Sequence, residues 1–160
     1  MRRQQLYRVV GLLAVLAIVV GGTMATAPRA LAATNPIRVP AVAGWVDTGI
    51  TVVEGQQVYI KTLGVAITGP LEWYPGAISG PDGQEWNLGC GQYEGATEDC
   101  ALDDYPYGML VGRVGTESFP IGGASSFTPP ASGTLFLAVN DNLIYYEDNL
   151  AGFTVLFAGK

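Results

Sequence analysis

The sequence predicts an all-β chain, a β-sandwich or a jelly roll. Three observations lead there. No window beyond residue 32 carries an i, i+3, i+4, i+7 apolar stripe for three turns, so no amphipathic helix is expected. Short apolar runs recur instead, each ended by Gly, Pro or Asp. Several of these runs alternate apolar and polar residues, as strands with one buried face do.

The runs can be taken in order. Ala41 to Val46 reads as a strand ended by Asp47-Thr48-Gly49, and Ile50 to Val53 as a second, stopped by Glu54-Gly55. In Gln57 to Ile67, Val58, Ile60 and Thr62 share one face, with Tyr59, Lys61 and Leu63 on the other. Met109 to Val114 is apolar apart from Gly112 and Arg113, and Ser118 to Ile121 and Ser125 to Phe127 are short. Gly133 to Val139 sets Leu135, Leu137 and Val139 on one face; Phe153 to Phe157 does the same with Phe153, Val155 and Phe157. About eight strands at this spacing fit a sandwich or jelly roll. The residues from 33 to 160 can bury one core and form one domain.

Residues 1–32 read differently. Arg2, Arg3 and Arg8 precede the apolar run Val9 to Gly22, and Ala30-Leu31-Ala32 fits a small-x-small cleavage site. The expectation is a signal peptide over 1–32, and a secreted protein, extracellular or periplasmic, with no membrane attachment after cleavage. The alternative is an uncleaved anchor, against which Thr23, Thr26 and Pro28 count.

Four of the eight Lys and Arg lie in those 32 residues, whereas all fourteen Asp and Glu lie beyond residue 46. The remainder therefore has four basic and fourteen acidic side chains, a net charge of −10. Nucleic-acid binding, which needs a basic footprint, is excluded as an expectation. An acidic surface keeps a secreted protein soluble and attracts cations. Cys90 and Cys100 are the two cysteines. An oxidising compartment and an even count favour a disulfide between them.

The chain has no histidine, so neither a Ser-His-Asp nor a Cys-His system can be assembled, and a zinc site lacks ligands. Paired carboxylates for glycoside hydrolysis could come from Glu98, Asp99, Asp103 and Asp104, but solvated loop charges are the simpler reading. The segment from Pro70 to Tyr107 is a long Gly-rich loop carrying Trp73, Tyr74, Trp86, Tyr105 and Tyr107. Loops of that length are functional or poorly ordered, and the disulfide favours order.

The stretch Leu135 to Phe157 is the most informative. Two strand-like runs bracket a loop with Asn140, Asp141, Asn142, Glu147, Asp148 and Asn149. Calcium takes six to eight oxygen ligands from such groups and from backbone carbonyls. Hairpin turns also favour Asn and Asp, so residue types alone leave both readings open.

Beyond residue types, the sequence resembles the PA-IL-type (LecA-like) calcium-dependent, galactose-binding bacterial lectins. The likeness runs through Trp45-Val46-Asp47-Thr48-Gly49-Ile50, Gly55-Gln56-Gln57-Val58-Tyr59-Ile60 and Gly80-Pro81-Asp82-Gly83. It continues through Gly108-Met109-Leu110-Val111-Gly112-Arg113-Val114-Gly115 and Ser132-Gly133-Thr134-Leu135-Phe136-Leu137. Its most specific part is Asn140-Asp141, six residues, Asp148-Asn149, then Gly152-Phe153. The resemblance implies a jelly-roll sandwich and a non-enzymatic sugar-binding module. It implies calcium as cofactor, held by side chains of Asp141, Asp148 and Asn149 and by backbone carbonyls of Tyr145 and Thr68. It implies a galactose-like sugar whose hydroxyls reach the calcium and contact Asp141, Asn142 and Asp148. The family's site also uses a His and a Gln. This chain has no His, and neither Gln84 nor Gln92 aligns clearly with that Gln. The cation scaffold thus transfers better than the sugar preference, and the loop aromatics could stack on a sugar face instead. A sandwich that keeps the fold without binding sugar is the alternative, and homo-oligomerisation is left open.

Overall fold

The computed structural model describes residues 35–69, 77–84, 89–90 and 100–158. Among the described residues nine strands run in order: β1 (Ile37–Pro40), β2 (Val46–Val52), β3 (Val58–Ile67), β4 (Ile78–Ser79), β5 (Leu110–Val114), β6 (Glu117–Pro120), β7 (Ser126–Phe127), β8 (Gly133–Val139) and β9 (Leu150–Ala158). They build two antiparallel sheets, ordered β1-β9-β3-β4, with β7 also on β3, and β2-β8-β5-β6. The expected all-β sandwich is the fold found, and neighbouring strands are mostly far apart in sequence. Among the described residues the only helical element is a 3-10 turn, Tyr146–Asp148. None of them forms a helix long and apolar enough to cross a membrane. The expected signal peptide lies outside the described residues, as do Trp73, Tyr74, Trp86, Gln92, Glu98 and Asp99.

The alternation read in the sequence is the alternation of burial. Val58 and Ile60 point in from β3, Leu135, Leu137 and Val139 from β8, and Phe153, Val155 and Phe157 from β9. Tyr59, Lys61 and Leu63 face solvent. These inner rows meet Val39, Val52, Leu110, Val114 and Phe119 in one core between the sheets. A second, small cluster forms outside it. Val111 and Ala138 on the back of β5 and β8 are covered by Ala101, Leu102 and Met109, with Trp45 alongside. This is why the run at β5 is apolar on both faces. Beside it the Arg113 guanidinium stacks 4.5 Å from the Trp45 ring and 5.3 Å from that of Phe136, an arrangement that suits a cation over an aromatic face.

Three local expectations fail for physical reasons. Ala41 to Val46 is mostly a turn, closed by Ala43 N–H to Pro40 O at 3.1 Å, and the strand begins only at Val46. Asp47-Thr48-Gly49 does not end a strand; it bulges within β2, where the register with β8 shifts between Asp47 and Thr51. The side chains stabilise the bulge: Gly49 N–H donates to Asp47 Oδ1, and Thr48 Oγ1 donates to Leu135 O at 2.7 Å. Strands β1 and β4 were not anticipated, because each is short and exists through its partner, β9 and β3 respectively.

The β3–β9 ladder is the longest, from Tyr59 opposite Ala158 to Ile67 opposite Leu150. Its last pair places Thr68 and Gly69, which leave β3, next to Asn149, which enters β9. That register brings two distant parts of the chain to one end of the sandwich.

Candidate functional site

Strand β8 ends at Val139 and delivers Asn140, Asp141 and Asn142 to that end. Asn140 is wholly buried and anchors the neighbouring loop. Its Nδ2 lies within hydrogen-bond reach of the carbonyls of Leu102, Tyr105 and Pro106, and its Oδ1 accepts from Leu102 N–H at 2.8 Å. Its backbone adds bonds to Met109 and Gly108. The sequence marked Asn140 as part of a motif but not as this anchor, since all its partners are tertiary.

Asp141 is 5 % exposed. Its Oδ2 accepts from Asn149 Nδ2 at 2.7 Å and its Oδ1 from Asn142 N–H at 2.7 Å. Burial pushes its carboxyl above the usual carboxylate range, the bonds from Asn149 and Asn142 oppose that, and the charge of Asp148 pushes it further up. Asp148, on the exposed side of the loop, is also pushed up, by partial burial and by Glu147. Three acids therefore share this loop, and the neighbouring charges acting on Asp141 and Asp148 are negative.

Asn149 is fully buried and joins three segments. Its Oδ1 accepts from Gly69 N–H at 3.0 Å, while Nδ2 donates to Ala41 O at 3.1 Å and to Asp141. The partners fix the amide orientation, because its oxygen faces a donor and its nitrogen two acceptors. Thr68, beside Gly69, is buried, and its Oγ1 accepts from Gln84 Nε2 at 2.8 Å. Gln84 thus stands next to the site. No local sequence signal placed it there, because it reaches Thr68 across the sheet end.

Between Asp141 and Asn149 the loop is shaped by its own side chains. Ile144 N–H donates to Asn142 Oδ1 and Tyr145 N–H to Asn142 O, an Asx-type turn. Tyr145 O accepts from Asp148 N–H at 3.2 Å. Tyr146 is buried, and its hydroxyl donates to Val139 O at 2.7 Å. Burial and then the charge of Asp141 hold that hydroxyl far above its usual range, so it stays a proton donor.

Asn149 thus joins Asp141 to Gly69, the neighbour of Thr68, and Tyr145 and Asp148 are bonded to each other on the same loop between β8 and β9. Asn142 is placed differently from a sugar contact on an open face: it is 3 % exposed and its carbonyl oxygen is used in the turn. Cys90 and Cys100 are bonded, as expected. The bridge ties into the site, because Cys100 pairs with Asn142 and Ala101 N–H donates to Asp141 O. Asp103 and Asp104 are exposed on the covering segment.

The donor set can be tested against a hard cation. Asp141, Asp148, Asn149 and the Tyr145 carbonyl offer oxygen only, and carboxylate, amide and carbonyl oxygens each have a second lone pair beyond the bonds described. A buried carboxylate whose charged neighbour is another acid is stabilised by a positive ion. The residues fit calcium.

No family model matches the sequence, and no curated protein does. Among solved structures the chain is similar to the EclA N-terminal domain, a PllA-like lectin. The two share 26 % identity and a TM-score of 0.58, over 80 % of this chain and 98 % of that one. This neighbour supports the likeness to the LecA-like lectins read from the sequence.

Proposed function

We propose that this lectin-like chain is an exported, non-enzymatic carbohydrate-binding module whose sugar site is built on calcium. The observation that carries the reading is the buried Asp141 carboxylate, held by the Asn149 amide at the point where β3, β8 and β9 converge. The lectin neighbour supports carbohydrate binding in general.

Each residue has a part in this reading. Asp141 supplies a carboxylate that Asn149 orients and that Tyr146, bonded to Val139 O, keeps at the end of β8. Asp148 adds the second carboxylate from the exposed side, and Asn149 adds an amide oxygen. Tyr145 and Thr68 offer backbone carbonyls. A calcium ion held there would supply Lewis-acid coordination to sugar hydroxyls, with a galactose-like sugar as the family's precedent. Asp141 and Asp148 would accept hydrogen bonds from the same sugar. Residues 1–32 serve as a signal peptide in this reading.

A second reading keeps the fold and the cation without sugar binding. The absence of histidine and the burial of Asn142 favour it.

The test separates ion from sugar. Calcium at about a hundred times its dissociation constant should stabilise the protein by about 2.7 kcal/mol, read as a thermal midpoint raised by several degrees. Asp141→Ala should abolish that rise. Full calcium stabilisation in Asp141→Ala would place the ion elsewhere.

A further inference from the structure

The disulfide closes a ring of contacts beside the candidate site. Cys100 stands opposite Asn142 in an antiparallel bridge, and Ala101 N–H donates to Asp141 O at 3.2 Å. Cys90 holds the next stretch of the same segment. Its N–H donates to Tyr105 O at 2.8 Å, and its carbonyl accepts from Asp104 N–H at 3.0 Å. The Asn140 side chain fastens Leu102, Tyr105 and Pro106. The ring therefore runs from Asn140 to residues 102–106, to Cys90, through the sulfurs to Cys100, and back to Asn142. Cys90–Cys100 is the covalent crosslink in it. Asn142 carries the contact inwards. Its N–H donates to Asp141 Oδ1, and its two oxygens accept from Ile144 N–H and Tyr145 N–H, which sets the Tyr145 backbone. The bridged segment thus abuts two of the proposed calcium ligands, Asp141 and Tyr145, through one residue.

We infer that the Cys90–Cys100 bridge is a redox device coupled to the ion site: reduction weakens calcium binding, and bound calcium protects the bridge from reduction. The inference rests on the calcium reading above and adds a regulation to that site. With the bridge closed, Cys100 and Ala101 are held against Asn142 and Asp141 by a crosslink as well as by hydrogen bonds. With it open, hydrogen bonds alone hold them, and this end of the segment can open locally. The Asp141–Asn142 backbone then loses its partner strand, and the Asp141 carboxylate and Tyr145 carbonyl are free to leave their places. Calcium must reorder them on binding, at a cost in affinity. By linkage, the factor by which reduction weakens calcium is the factor by which calcium shifts the bridge toward the disulfide. The reductant is a dithiol. Its thiolate attacks Cys100 Sγ, because Cys90 is fully buried and Cys100 half-buried. The S–S bond breaks, and Cys90 leaves as a thiolate that takes up a proton. The second thiolate of the dithiol then displaces Cys100 from the mixed disulfide, and Cys100 takes up a proton. Two electrons and two protons pass to the bridge, and the dithiol becomes its cyclic disulfide.

The test titrates the protein in buffers of reduced and oxidised dithiothreitol, with calcium and with chelator, and reads bridge opening as the mass added by thiol alkylation. Saturating calcium should raise the reduced-to-oxidised ratio at half-reduction by about tenfold, within the usual range of coupling between two sites, which is about 30 mV for this two-electron couple. Calorimetry should show the reduced protein binding calcium about tenfold more weakly than the oxidised, so that the two factors agree. Cys90→Ser/Cys100→Ser should bind calcium as the reduced protein does and ignore reductant. Phe127→Leu alters the core at the Val58 end of β3, away from Thr68. It should lower the thermal midpoint and leave the oxidised protein's calcium affinity unchanged, which separates the coupling from a general loss of stability. Equal calcium affinity in the two redox forms, or a half-reduction ratio that calcium does not move, would overturn the inference alone. So would the oxidised protein's affinity in the double variant, or the same loss of calcium affinity in Phe127→Leu. A reduced protein that no longer unfolds cooperatively in chelator would also overturn it, because the bridge would then hold the whole fold. If the oxidised protein binds no calcium, the calcium reading itself fails, and this one with it.

Discussion

Phe153→Ala should lower the unfolding free energy by about 3–5 kcal/mol, as removal of a fully buried ring does. Phe153 is 1 % exposed and lies on β9 opposite Val39 of β1 and Gly64 of β3. The backbone around it is too close-set to collapse into the space. A Cβ on Gly64 would lie 2.6 Å from Gly152 O, and one on Gly152 would lie 2.3 Å from Val39 O. Both glycines adopt positive φ, 105° and 133°, so this part of the ladder is held by backbone contacts and leaves a cavity when the ring goes. Phe153→Leu, which removes less of the ring's volume, should cost less than Phe153→Ala. Urea unfolding checks both, the midpoint moving with an unchanged slope. A loss below about 1 kcal/mol for Phe153→Ala would show that the sandwich is not centred on this ring.

Asn149→Ala should be nearly as severe and should also remove the calcium response. One amide satisfies Gly69 N–H, in a part-buried place, and Ala41 O and Asp141 Oδ2, in buried ones. Its loss leaves three polar groups without this partner, at about 1–3 kcal/mol for each that water cannot reach. We expect a total of at least about 3 kcal/mol on that basis. Asn149→Asp separates structure from ion binding. A carboxylate there faces Asp141 and loses the donors to Asp141 and Ala41, so the variant should be destabilised in chelator. It keeps an oxygen for a cation, so calcium should recover a larger share of its stability than in the unaltered protein. Thermal unfolding in calcium and in chelator reads both variants. If Asn149→Ala retained the full calcium increment, the amide would have no part in the ion site.

The strands legible in the sequence are those whose two faces see different surroundings. β3, β8 and β9 show this, with Ile60, Leu137 and Val155 in the core and their neighbours turned away. β1 and β4 were illegible because their pairing is made by β9 and β3, which contribute the register. Asp47-Thr48-Gly49 misled because the residues that favour a turn also favour a bulge, and only the Thr48 bond to Leu135 O decides between them. In the site, Asp141, Asp148 and Asn149 were legible as a motif. What could not be read is the work done by buried amides. Asn140 fastens residues 102–106, Asn149 clamps Asp141 to Gly69, and Gln84 holds Thr68; each contact joins residues remote in sequence. Asn142 is buried, and its side-chain oxygen accepts from Ile144 N–H, a turn contact that the motif alone did not reveal.

We propose Asp141, Asp148 and Asn149 as a calcium-dependent sugar site. Glycan-array binding by the protein, in calcium and then in excess chelator, tests it most directly. The expected result is a defined set of bound glycans whose signal disappears with chelator and returns when calcium is restored. A glycan signal that persists in chelator, or no glycan signal from protein that calcium demonstrably stabilises, would contradict it.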